Sequence, residues 1–367
     1  MRIERAVLRE VPLTLRTPFA TSHGRTEQRR VLLLTLHAEG LEGWSECVAA
    51  AVPSYTYETV DTAWHVLTEL VLPRMIGCDI LDGDDVLEPI AWIRGHPMAR
   101  ATVEMAAWDL AARGDGVSLS SKLGGAFPEI PVGVSIGLER TPELLVAAVE
   151  RALQEGYQRV KVKIEPERDI EMLGALRERL PDAPLTADAN AAYTPADLPR
   201  LLELDVFGLE MIEQPLAPDD FLGHARLQEQ MRTPLCLDES IVSEHDAALA
   251  LQLRSCRVVN LKPGRVGGFA ESLRIHDLMR RALMPIWCGG MLETGVGRAH
   301  NVALASLPGF ILPGDISASR RYWERDIVAP EFEVEDGLMR VPTGPGIGVE
   351  VDVERIEALA TRVAVYS

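Results

Sequence analysis

The chain has 367 residues, 47% of them hydrophobic and 25% charged, which suits a well-filled core with a smaller second domain and excludes wholesale disorder. Its formal net charge of −18 excludes a nucleic-acid partner and an anionic membrane surface, although a local site can still invert that field for a small anionic substrate. The five cysteines, Cys47, Cys78, Cys236, Cys256 and Cys288, show no paired spacing, no apolar leader follows Met1, and no apolar run reaches transmembrane length, so a reducing, cytoplasmic setting without membrane attachment is expected.

Residues 1 to about 50 read as an antiparallel sheet, with loose alternation over 3–15 and a strand over 31–36 that ends near Glu39-Gly40. Between them, 17–24 (Thr17-Pro18-Phe19-Ala20-Thr21-Ser22-His23-Gly24) reads as a turn-rich loop, either a plain connector or a lid over a neighbouring site. From Tyr57 to about Arg113 the period is helical: Val60, Ala63, Val66, Leu67 and Leu70 mark one face, and Ala99, Val103, Ala106, Ala107 and Leu110 another. Sheet followed by helices predicts an α+β domain over 1–125.

A parallel barrel is then expected over 126–321. Its first strand is 132–136, and helices fill 142–155, 169–180, 195–204, 220–231, 244–253 and 269–282. A seventh strand is read at 285–288 and an eighth at 310–312, with 322–367 returning to the first domain. The predicted fold is α/β, a modified (β/α)8 TIM barrel with an α+β capping domain.

The chemistry sits at the strand ends. Lys163, Asp188, Glu213, Asp238 and Lys262 each close a short aliphatic run, at intervals of 25, 25, 25 and 24 residues. One charged residue per unit, at successive strand ends, is how a parallel barrel assembles an active site. Of 37 basic residues only Lys122, Lys161, Lys163 and Lys262 are lysine. Two of these four belong to that array and Lys161 lies two residues before Lys163 on the same strand, in a chain that elsewhere uses arginine, which cannot be deprotonated in proteins.

Lys161 and Lys163, two apart on one strand, share a face toward the barrel mouth, where mutual repulsion is expected to depress the pKa of one of them. Asp188, Glu213 and Asp238 converge from adjacent strands, and an oxygen-only set of this kind suits Mg2+ or Mn2+. Lys262 faces Lys163 across the mouth. A small-molecule carboxylate placed between two amines beside a divalent cation can lose its α-hydrogen, giving an enediolate.

Lys161-Val162-Lys163, Asp188-Ala189-Asn190, Glu213-Gln214-Pro215, Asp238-Glu239-Ser240 and Asn260-Leu261-Lys262 resemble the enolase superfamily, muconate-lactonizing subgroup. The stretches 287–295 and 312–319 narrow the resemblance to the o-succinylbenzoate synthase and N-succinylamino acid racemase family, and it covers essentially the whole chain, including Met105-Ala106-Ala107-Trp108-Asp109-Leu110.

The resemblance implies metal ligation by Asp188, Glu213 and Asp238, acid/base roles for Lys163 and Lys262, a partner role for Lys161, and support of the metal shell by Asn190 and Glu239. It implies dehydration to o-succinylbenzoate in menaquinone synthesis, racemisation of N-acylamino acids, or both, with dipeptide epimerisation as the alternative. A homo-oligomer is expected. The histidine-base branch is excluded, because Lys262 and Cys288-Gly289-Gly290 stand where a His–Asp pair is needed. Of other classes, a Schiff-base aldolase needs no carboxylate trio, and a silent binding protein needs no lysines.

Further residues carry two readings each. Ser135 is a ligand donor or a satisfied core serine. Gly290 and Met291 let backbone approach the substrate, or Gly289-Gly290 is simply a turn. Glu293 joins the metal or lysine network, or bridges to Arg298. Arg265 lowers the pKa of Lys262 and so favours racemisation, or it is a packing arginine. His300 reads as structural, and Phe19 and Tyr55 as candidates for an acyl pocket.

Overall fold

The computed structural model describes residues 1–22 and 24–367. Arg5–Thr21, Gly24–Ala38 and Leu41–Cys47 form an antiparallel meander, and Arg362–Tyr366 adds to its outer edge beside Arg5–Thr21. The run 31–36 is apolar at nearly every position because both faces of the sheet are covered. Leu32, Leu34 and Leu36 enter the capping-domain core, while Val31 and Leu33 join the barrel core.

The expected loop at 17–24 is instead the end of a long hairpin, in which Phe19, Ala20 and Thr21 pair with Thr26, Arg25 and Gly24 after a register shift beyond Thr14. Pro18 and Gly24 are turn formers, but the ladder continues past them. His23 lies outside the described residues. The hairpin end rests on the barrel: Ala20 O accepts from Leu138 N at 2.9 Å, and a side chain at Gly137 would collide with the same carbonyl.

The helical stretch after Tyr57 is interrupted. Val60–His65 widens into a π-helical turn over Val66–Val71 ahead of Leu72–Met75, because Pro73 has no N–H for the carbonyl four residues earlier. Pro97–Gly114 is buried on nearly all sides, facing the capping core through Ala99, Val103, Ala106 and Leu110 and the barrel core through Ala101, Met105 and Trp108. It lies directly on strand backbone at Gly43, where an added Cβ would stand 2.3 Å from Ala106 O.

Seven parallel strands follow in sequential order: Val134–Ile136, Val160–Lys163, Leu185–Asp188, Met211–Glu213, Leu235–Leu237, Val258–Leu261 and Ile286–Cys288. Helices Pro142–Gln154, Asp169–Arg179, Leu198–Glu203, Phe221–Gln230, Glu244–Leu253, Phe269–Arg281 and Gly295–Ala305 follow them.

The eighth strand expected at 310–312 does not form. Closure is by isolated bridges, Ile286 to Phe310 and Val132 to Gly314, with Asp315 N bonded to Cys288 O at 2.8 Å. Pro313 cannot donate to a ladder, and Ile311 is exposed. The final segment packs Phe332, Val334, Met339 and Val349 onto the barrel core and pairs Leu338–Arg340 with Glu129–Pro131 before Arg362–Tyr366 joins the capping sheet. Among the described residues no helix is long and apolar enough to cross a membrane.

Candidate active site at the barrel mouth

Parallel register places Lys163, Asp188 and Glu213 side by side on neighbouring strands, with Asp238 and Lys262 directly after the next two. All five are buried. Lys161 sits one pleat lower, level with Ser135 and Thr186. The two mouth lysines stand four strands apart, with the three acids on the strands between them.

The carboxylates do not converge on one another, as three uncompensated charges would repel; each is turned onto a cation. Lys163 Nζ contacts Asp188 Oδ2 at 2.6 Å and Asn190 Oδ1 at 2.6 Å. Lys161 Nζ lies 3.2 Å from Asp188, 3.1 Å from Glu213 and 3.0 Å from Asp315. Lys262 Nζ lies 2.8 Å from Asp238 Oδ2, and Arg265 pairs with the other oxygen of that carboxylate.

The lysine electrostatics therefore run opposite to expectation. Burial opposes the charged form of Lys161, but Asp315, Glu213 and Asp188 outweigh it and hold its pKa above the ordinary value. Burial likewise opposes the charge on Lys262, and Tyr55, Glu213 and Glu239 raise it. Asp188 is pushed well below the usual carboxylate range, since Lys163 and Lys161 overcome its burial. Arg265 is bonded to Asp238, Ile241 O and Asn260 O, and Lys262 beside it is raised, not lowered.

Supporting contacts hold the acids. Asn190 donates from its backbone N to Asp188 (2.9 Å) and from Nδ2 to Glu239 (3.0 Å), while Asn260 Nδ2 donates to Glu213 at 2.8 Å. Gln214 Oε1 receives the amides of Asp238 and Ser240. Asn190 and Gln214 both have φ in the left-handed region, 43° and 38°, so the chain turns sharply just past Asp188 and Glu213. Burial, together with the nearby Asp188 charge, lifts Glu239 to about 7.

Other expectations fare differently. Ser135 Oγ is buried without a hydrogen-bond partner among the described residues, which does not fit a satisfied core serine. Glu293 touches neither lysines nor acids of the mouth. Its Oε1 holds Met291 N (2.7 Å) and Asn301 Nδ2 (2.8 Å), and Arg298 bonds only its carbonyl. Gly290 is confined by Asp315 O, and Met291 packs toward the capping core. His300 is buried and stacked on Phe269. Phe19 lines a cavity of about 590 Å3 with Ile136, Tyr157 and Tyr322.

Sequence reading missed two participants, gave a third only as part of the 17–24 stretch, and misjudged a fourth. Asp315 grips Lys161 from the closing segment. A Cβ at Gly289 would stand 2.6 Å from Lys262 Cε, so this glycine makes room for the lysine. Ser22 of the hairpin end reaches Ala189 O at 3.5 Å, beside Asp188. Tyr55, read only as an acyl-pocket candidate, bonds Asp238 (3.0 Å) and Lys262 (3.1 Å) through its hydroxyl, with its ring 4.6 Å from Lys262 Nζ.

Among the described residues no group of three His, Cys, Asp or Glu side chains stands close enough to enclose a metal ion. The donor chemistry nevertheless fits a hard divalent cation. Three buried carboxylates rise from adjacent strands, and among the described residues Glu239 Oε2 and Glu213 Oε2 accept no hydrogen bond, the 3.1 Å ion pair of Glu213 with Lys161 aside.

The model of the mandelate racemase / muconate lactonizing enzyme N-terminal domain matches residues 3–124, and that of the enolase C-terminal domain-like family matches 144–356. The chain is 50% identical over 358 residues to an o-succinylbenzoate synthase of Geobacillus kaustophilus, covering 97% of this chain and 96% of that protein. It is also 50% identical over 357 residues to an N-succinylamino acid racemase of Thermus thermophilus, covering 97% of each. A solved enolase-superfamily structure from Listeria innocua superposes with a TM-score of 0.95 at 42% identity, over 100% of this chain and 99% of that one. With its capping sheet, its barrel and its lysine–carboxylate mouth all accounted for, the chain belongs to the muconate-lactonizing subgroup of the enolase superfamily.

Proposed function

We propose that this enzyme removes the α-proton of a small carboxylate substrate, dehydrating a cyclohexadiene carboxylate to o-succinylbenzoate and racemising N-succinylamino acids. The observation that carries the reading is the pair of buried lysines four strands apart, with three carboxylates on the strands between them, in a chain half identical to relatives bearing both names. Asp188, Glu213 and Asp238 would hold Mg2+ or Mn2+, which supplies positive charge to the substrate carboxylate and so lowers the cost of the negative charge that develops when the α-proton leaves.

The chain's own residues do the rest. Lys163 and Lys262 each rest on a carboxylate, Asp188 and Asp238, and both amines would be released toward the substrate once those carboxylates take up a divalent cation. Each amine then addresses one face of the α-carbon. In racemisation one takes the proton and the other returns it. In dehydration one lysine suffices as base, and the second stabilises charge. Tyr55 fixes Lys262 from the capping side, and the hairpin end over Ala189 shields the mouth from water.

The test supplies purified protein with Mg2+ and assays both substrates in D2O, following o-succinylbenzoate by absorbance and α-deuteration by mass spectrometry. Product from one substrate or both, abolished by chelator, is expected. Full activity in saturating chelator, or neither product nor exchange, overturns the reading. Deuteration of dipeptides in place of N-succinylamino acids would reassign the substrate to the epimerase class.

A further inference from the structure

Arg159 begins the inward-facing series that continues with Lys161 and Lys163, two residues apart on one strand. It is 1% exposed. Its guanidinium lies 4.0 Å from the Trp287 ring centroid, and Lys161 Nζ lies 5.0 Å from the same ring, so two cations stack on one tryptophan below the mouth. Space for it is built in: a Cβ at Gly133 would stand 2.7 Å from Arg159 O, 3.2 Å from its Cβ and 3.4 Å from Nε.

Direct bonds do not account for this residue. Among the described residues Nη1 reaches only Met211 Sδ, at 3.9 Å, while Nε and Nη2 have no protein acceptor. The layer around it is Met211, Cys236, Val258 and Trp287, into which an apolar side chain of equal length would fit with less desolvation. Lys161, on the same tryptophan ring, contacts Asp315 at 3.0 Å and Glu213 at 3.1 Å, so the Arg159 charge lies in the layer beneath these two carboxylates and shares their field. Arginine keeps its proton even when buried, so the charge is permanent.

We infer that Arg159 is a positioning residue: a fixed charge beneath the site that, through Glu213 and Asp315, limits how tightly the mouth holds a divalent cation and keeps it attractive to an anionic substrate. This rests on the metal reading given above. A merely structural arginine would, when lost, loosen the site, whereas a field-setting one would, when lost, leave the carboxylates more negative and tighten it. One charge acting on a divalent ion across a protein interior amounts to at least about tenfold in binding.

The experiment titrates Mg2+ into the full chain by calorimetry, with circular dichroism and turnover of an N-succinylamino acid measured alongside. Arg159→Met is expected to bind Mg2+ at least about tenfold more tightly than the native chain while its kcat falls about tenfold. Arg159→Lys, which keeps the charge, should return both to within about twofold. A folded Met variant with unchanged or weaker Mg2+ binding overturns the inference, and so does a folded Lys variant that shifts as the Met variant does. If the Met variant does not fold, Arg159→Gln takes its place with the same expected tightening. A native chain that fails to bind Mg2+ overturns this inference together with the proposed function, whereas native binding without a shift in the variants overturns this inference alone.

Discussion

The barrel mouth and the capping domain meet at one site but contribute in different ways. The mouth supplies charge from strand ends whose positions the parallel register dictates: Lys163, Asp188 and Glu213 are neighbours because their strands are. The capping domain supplies contacts that depend on docking: Tyr55 on Lys262 and Asp238, Ser22 on Ala189, and the carboxylates of Glu46 and Glu104 on barrel helix N-termini. Chemistry is thus fixed by topology, while closure and alignment are fixed by an interface. Perturbing the first should abolish turnover with the fold intact, and perturbing the second should reduce turnover or stability in graded steps.

The largest effects are expected at the mouth. Asp188→Asn, Glu213→Gln and Asp238→Asn should each lower turnover below about one thousandth of the native value, with circular dichroism unchanged, since each removes a charge from a barrel rim. A variant retaining full activity would detach that residue from the metal assignment. Next come the lysines. Lys163→Ala and Lys262→Ala should each stop racemisation, by roughly 10²–10⁴-fold, yet leave α-hydrogen exchange in D2O on opposite enantiomers. Lys262→Arg should keep part of the dehydration activity and lose racemisation, because the charge survives and the titration does not. Exchange of the same enantiomer in both alanine variants would place the two lysines on one face.

The same division explains what was legible in the sequence. The 25-residue interval from Lys163 through Asp188 and Glu213 to Asp238 was visible because βα units of similar length end in one residue each. Asp315 belongs to no such period and reaches the site only when residues 310–315 close the barrel, whereas Gly289 stands beside Lys262 at the next strand end but has no side chain to mark it. That closure was misread as a strand, since Phe310-Ile311-Leu312 is apolar and the effect of Pro313 on the ladder shows only in three dimensions. The sign of the lysine shift was misjudged for a related reason. Sequence placed Lys161 beside Lys163, but not Asp315 and Glu213 around Lys161. At 17–24, local turn formers were outweighed by pairing across a hairpin that residue-by-residue propensity does not register.

An intermediate effect is expected where the interface touches the chemistry. Tyr55→Phe removes the hydroxyl that bridges Lys262, Asp238 and Arg265 and leaves the ring over the lysine. Bonds to charged groups contribute about 1.5–3 kcal/mol, so kcat should fall by about tenfold or somewhat more. Racemisation should suffer more than dehydration, because it needs Lys262 to move a proton in both directions. Equal losses in the two reactions would show that Tyr55 acts on the carboxylate side alone.

The smallest effect is one of stability and lies wholly at the interface. Glu104, on the capping helix, accepts the amides of Phe269 and Ala270 at the start of a barrel helix, and also Trp108 Nε1. Burial lifts its pKa to about 7, against the pull of those three hydrogen bonds. A carboxyl whose folded pKa lies above its unfolded one stabilises the fold fully below the unfolded value, near 4.5, and loses that contribution as pH rises through 7. The shift corresponds to roughly 3 kcal/mol across this window. Glu104→Gln keeps the shape, cannot ionise, and gives up one acceptor oxygen. The variant should therefore melt below the native chain at pH 5, by a few degrees, and the gap should narrow or reverse by pH 8 as the native carboxylate ionises in its buried position. A gap that widens with pH would mean that the helix N-terminus stabilises the carboxylate more than burial destabilises it. The interface would then be held by charge, as the mouth is, and the contrast between the two regions would fail at this residue.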